Sequence, residues 1–233
     1  MDVFAPLSGF HLLDAAAVVF LFLCWTLIGW QIERTGARRK SVSVLMAQYR
    51  REWMTHVPER DPRVFDALLT TNLRDGTAFL ASACLIAIGG ATALLTNTEQ
   101  VGAITADLTQ DTAPEIVLEI KLLIVVLLVT NAFLKFVWAN RVFGYCVVMM
   151  GTIPNDPEDA RTPLRIHQAA ELNVSAARAF NQGLRSIYFS LGALAWLIGA
   201  VALIIATLVV LCVIIRREYI SNSRAVLAKD PAL

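Results

Sequence analysis

Seven basic side chains and four amides recur near the ends of apolar stretches: Arg50, Arg51, Arg74, Lys135, Arg141, Arg178 and Arg185, with Asn72, Asn140, Asn173 and Asn181. Converging arginines and amides suit an oxyanion, because a guanidinium fork meets two oxygens of a phosphate or carboxylate at once. The residues expected to form an anionic-ligand or lipid-headgroup site are Arg50, Arg74, Arg141, Arg178, Asn181 and Arg185. The same side chains would equally serve membrane topology and plain ion pairs with Asp66, Asp75 and Glu171. A second group lies along one apolar stretch, where Glu119, Lys121 and Asn131 are expected as membrane-interior polar residues. Charges in lipid are costly and are usually paired or functional. Depth tempers that reading: Glu119 near a helix N-terminus suits the macrodipole, and Lys121 can snorkel outward. Asn131 is the deep one, and a lone Asn suits an interhelical hydrogen bond of ~0.6–2 kcal/mol.

Other chemistries find less to work with. His11, His56 and His167 fall in different segments, so facing haem ligands are not expected. There is no Gly-rich phosphate loop, no G-x-S-x-G and no H-E-x-x-H. Cys24, Cys84, Cys146 and Cys212 are widely separated without C-x-x-C spacing, which argues for packing roles over zinc or a disulfide framework. No catalytic residue, metal or cofactor is therefore expected, and nothing points to nucleic acid.

The elements that must position these groups follow from hydropathy. Residues 12–32, 77–95, 116–134 and 187–215 are each about long enough to cross a ~30 Å hydrocarbon core, which takes roughly 20 helical residues. Backbone in lipid must satisfy its own hydrogen bonds, so these are helices. The composition agrees: 57% of residues are hydrophobic and 17% charged, below the roughly 25% charged residues of soluble domains. The expected organisation is a single four-span membrane domain over residues 1–215, followed by a polar tail over 216–233. Lys and Arg are absent from Met1 to Glu33 and again between Arg74 and Lys121, whereas Arg34 to Arg74 holds nine and Lys135 to Arg185 holds six. Basic loops stay on the cytoplasmic side, so the N-terminus and residues 96–115 are expected outside. The acidic start Met1-Asp2 does not suit a cleavable signal. The tail conflicts with this scheme. Four crossings return it to the outside, yet it carries Arg216, Arg217, Arg224 and Lys229.

Three of the helices are expected to overrun the bilayer into a cytoplasmic base. Residues 63–75 continue into the second span from a start at Asp61-Pro62, and the third span runs on to Met150 until Gly151 and Pro154 end it. Apolar residues at near-helical intervals over 163–186 precede the fourth. Residues 41–56 form a short amphipathic helix, with Val42, Leu45, Met46, Tyr49 and Trp53 on one face. The fold class is thus all-α and polytopic. Ridges of small residues, Ala83-x-x-x-Ala87-x-x-x-Ala91, Ala195-x-x-x-Gly199 and Ala202-x-x-x-Ala206, would let helices approach closely, within one chain or between copies.

Several longer motifs carry a resemblance. They are Tyr49-Arg50-Arg51-Glu52-Trp53-Met54, Asn72-Leu73-Arg74-Asp75-Gly76, Phe133-Leu134-Lys135-Phe136 with Trp138, Asn140-Arg141 and Gly144-Tyr145, and Phe180-Asn181-Gln182-Gly183-Leu184-Arg185. Over roughly residues 45–196 the chain resembles a family of bacterial and plant membrane proteins classed as a domain of unknown function, number 599. It departs at Val142 and Gly144, where the family tends to polar residues. The resemblance implies a multi-span bacterial inner-membrane protein and no established activity. The expectation is a non-enzymatic structural or accessory component that self-associates, or joins a larger membrane complex, and touches membrane lipids. A transporter or channel for a small anion or lipid is the alternative. A membrane enzyme acting on a lipid-linked phosphate is the third, with Asp75 or Glu171 as its acid or base.

Overall fold

The computed structural model describes residues 12–96 and 115–229. The outer loop expected over residues 96–115 lies almost wholly outside them, as does His11. Among the described residues every regular element is a helix and there is no strand. In order come α1 (Leu12–Glu33), α2 (Val42–Thr55), α3 (Val64–Leu95), α4 (Glu115–Gly151), α5 (Thr162–Ala193), a 3-10 turn (Leu194–Leu197), α6 (Ala200–Ile215), a π turn (Arg216–Ile220) and α7 (Asn222–Leu227). Four helical runs are long and apolar enough to cross a membrane: Leu12–Glu33, Val64–Leu95, Ile116–Gly151 and Ala200–Leu227.

Helix α4 shows why the long elements hold. Leu118, Leu122, Val125, Val129, Ala132, Phe136, Ala139, Phe143, Cys146 and Met150 are all buried. They recur at alternating steps of four and three, the spacing that keeps one stripe of a helix facing its neighbours. The residues group into two compact units. One comprises 1–31, 83–132 and 184–215, the other 32–82, 133–183 and 216–233.

Within the first unit, α5 and α6 form a helical hairpin. A Cβ placed on Gly192 would meet Val210 Cγ2 at 3.3 Å and the backbone of Ala206 at 3.8 Å. Between them Gly199 takes φ +151°, a conformation that L side chains rarely adopt and glycine does readily. This corrects the expected single rod over residues 187–215. Hydropathy is continuous across the stretch, but the backbone turns at Gly199. Ala195 and Gly199 therefore belong to the connection and not to a packing ridge, while Ala206 packs within its own chain.

Within the second unit, α2 is capped by Ser41, whose hydroxyl accepts from Val44 N (3.2 Å) and donates to the Ile32 carbonyl (2.7 Å). Met54 and Val57 pack against Cys146, Met150, Ile153 and Ala169. α3 begins at Val64, a little after the start expected at Asp61-Pro62, whose peptide bond is cis. Arg63 closes the end of α4, donating to the carbonyls of Met150 (3.2 Å), Ile153 (2.7 Å) and Pro154 (3.0 Å). Carbonyls at a helix end lack intrahelical partners; that of Met150 also accepts from Ile153 N at 3.3 Å. The C-terminal segment lies along α2. Glu218 accepts from Ser43 N (3.0 Å) and Oγ (3.2 Å), Arg39 donates to the Tyr219 carbonyl (2.7 Å), and Tyr49 donates to the Leu227 carbonyl (3.2 Å).

Candidate functional site

The expected anion-site residues separate into two populations. Arg50, on α2, is turned inward, and its Nη1 donates to Asn173 Oδ1 at 2.6 Å. Asn173 is fully buried and passes the contact on to Cys146 Sγ at 3.7 Å. Burial lowers the Arg50 pKa from its ordinary value. Asn181 donates to Ser43 Oγ at 3.4 Å. Arg185, assigned to the first unit and 7% exposed, lies against the open edge of Gly29, where a Cβ would come within 3.8 Å of the guanidinium. These three are packed residues.

Arg74, Arg141 and Arg178 are exposed. Arg141 donates Nε to Tyr145 Oη at 2.5 Å and sits 5.8 Å from that ring's centroid, which steadies it without neutralising it. Arg178 Nε lies 3.9 Å from Glu33 Oε2, but Gln182 already donates to that carboxylate at 3.0 and 3.2 Å. The Arg74 carbonyl, not its guanidinium, is the group held from within, by Asn140 Nδ2 at 2.9 Å. A fourth arginine, Arg51, is matched to Glu171 at 2.5 and 3.3 Å, and this hydrogen bond holds the Glu171 carboxyl below the usual carboxylate range.

The membrane-interior polar residues take specific partners. Asn131 Nδ2 is 3.5 Å from Ser186 Oγ, an interhelical contact of the kind expected. Lys121 does not snorkel. It is 8% exposed and sits 5.7 Å from the Trp196 ring, whose Nε1 donates to the buried Asp14 at 2.7 Å. Burial among apolar neighbours leaves the ammonium the aromatic face instead of the surface. Glu119 is half-buried near the start of α4.

Sequence reasoning passed over Asp14 and Trp196, and named Asp66 as an ion-pair partner without its two donors, Trp53 and Arg60. Asp14 had a usable signal, a carboxylate two residues inside an apolar run. Asp66 is fully buried, and its Oδ1 accepts from Trp53 Nε1 at 2.6 Å and from Arg60 Nη1. All four cysteines are free, and among the described residues no three His, Cys, Asp or Glu side chains gather as metal ligands would.

Long apolar helices, internally satisfied arginines and a set of exposed guanidiniums beyond the apolar windows define an all-helical, polytopic membrane protein. Within that class, the chain belongs to the family described as "Protein of unknown function, DUF599", whose model matches residues 16–223. No curated protein and no solved structure matches it.

Proposed function

We propose that this is a non-enzymatic structural or accessory protein of the bacterial inner membrane. Its N-terminus is outside, and its arginine-rich segments face the cytoplasm and hold anionic lipid headgroups. The division of the arginines supports this reading. Arg50 and Arg51 are taken up by Asn173 and Glu171, whereas Arg74, Arg141 and Arg178 keep exposed guanidiniums on helices that continue from apolar runs. Headgroup phosphates are the anions available at that depth, and each such cation contributes ~1 kcal/mol of attraction to an anionic surface.

The test is native mass spectrometry of the protein with phosphatidylglycerol or cardiolipin. Replacing Arg74, Arg141 and Arg178 together by Gln should lower anionic-lipid occupancy by roughly 10- to 100-fold, the sum of three such contributions less screening. Phosphatidylcholine retention and the melting temperature should not change. Equal anionic-lipid retention by the variant and the parent would remove the headgroup assignment.

Self-association is proposed through α3. Its most apolar window is 11% buried within the chain, against 44% for α4. Ala83 and Ala87 on it are exposed, with Ala91 half-buried. Ala87→Leu should shift the detergent-solubilised mass from oligomer to monomer while leaving the fold intact, as read by light scattering. An unchanged mass would place the contact elsewhere.

A further inference from the structure

We infer that the chain makes five crossings, with α5 as the additional one, and that its basic C-terminal tail lies on the same side of the membrane as the basic loops.

The connectivity carries the first part. The turn between α5 and α6 is tied to the start of α1, where Trp196 Nε1 donates to Asp14 at 2.7 Å, and the chain beyond α6 is tied to the loop after α1, where Arg39 donates to the Tyr219 carbonyl at 2.7 Å. α6 thus returns from the start of α1 to the loop that follows it, as helical backbone, the only open-chain form that lipid tolerates.

Hydropathy stops short along α5 because the helix carries polar side chains, but these are covered by protein. Arg185, Ser186 and Ser190 are 7%, 1% and 3% exposed, while Leu191 on the same helix is 60% exposed. A helix whose charged face is turned to the bundle and whose apolar face is turned outward is one a bilayer accepts.

The tail follows from the hairpin. α6 returns alongside α5, as the Gly192 contacts with Ala206 and Val210 require. Beyond Ile215 the chain joins the second unit, where Glu218 holds Ser43, and Arg224 Nε donates to the Lys40 carbonyl at 3.0 Å. Arg216, Arg217, Arg224 and Lys229 thereby join the basic loops. The bias of Lys and Arg toward one side, broken by four crossings, is restored by five.

The experiment labels single introduced cysteines with a membrane-impermeant maleimide, before and after permeabilisation, in cells making the full chain. Ala228→Cys is compared with Asn155→Cys in a basic loop and Ala106→Cys in the loop without Lys or Arg. The unsubstituted chain is the blank for its native cysteines. Positions 228 and 155 should behave alike, gaining label only on permeabilisation, and 106 should be labelled in both conditions. Position 228 reacting like 106 would overturn the fifth crossing. Positions 228 and 155 reacting together from outside would keep it and invert the orientation proposed above. Should a substituted chain fail to accumulate, alkaline phosphatase and a green fluorescent protein fused after Leu233 give the same answer. Fluorescence without phosphatase activity supports the inference, and the reverse pattern defeats it.

Discussion

Gly183→Leu should prevent the protein from accumulating, and Gly183→Ala should lower its melting temperature in detergent. A Cβ at position 183 would lie 2.7 Å from Phe136 Cε1, with Cδ1 and Cζ both at 3.0 Å. The obstacle is the flank of a ring, not the end of a flexible chain. Phe136 is fully buried, and its centroid is 5.6 Å from that of Phe180, so it has little room to turn aside. Overpacking of this kind costs roughly 1–3 kcal/mol for one or two carbons, which exceeds the ~1 kcal/mol that Ala gains over Gly in helix propensity. Phe136→Leu should cost stability alone yet soften the loss in Gly183→Ala, a coupling that a double-mutant thermal series measures. Additive losses from the two changes would show that the ring is not what excludes the methyl group.

Asp66→Ala should cost ~3 kcal/mol, the low end for breaking a buried charge pair. The carboxylate is fully buried, with Trp53 Nε1 and Arg60 Nη1 both on Oδ1. Removing it strands the indole donor and leaves Arg60, whose side chain is 36% exposed, to be only partly rehydrated. Trp53→Phe takes away the neutral donor alone and should cost about 1 kcal/mol. Thermal unfolding of the two variants in one detergent separates these contributions. Equal losses would mean that the Arg60 pairing adds nothing. Asp66 also stands in the first turn of α3, where a carboxylate favours the helix dipole, so Asp66→Asn should fall between the two.

Much of this architecture is legible in the amino-acid sequence. The helix over residues 41–56, the unbroken run from 63 into the second span and the long third helix ending at Gly151 all follow from spacing, caps and breakers. The core stripe of α4 is not. Within an apolar span nearly every position is Leu, Ile, Val or Ala, so the four-three periodicity of the buried residues has no polar background to stand against. The candidate site shows the same division. Arginines near the boundary were identifiable by type, but Arg50 facing Asn173 and Arg141 remaining exposed depend on which helix lies beside each.

Local chemistry decided that this chain enters a membrane and which of its loops are basic, because hydropathy and charge placement are sums over neighbouring residues. Packing alone decided that α5 conceals its polar face, that the backbone reverses at Gly199 and that Lys121 meets an indole. The cost of burying a charge depends on the atoms that cover it, and those arrive from distant parts of the chain. Asp14 and Trp196, hydrogen-bonded across 182 positions, are one such case.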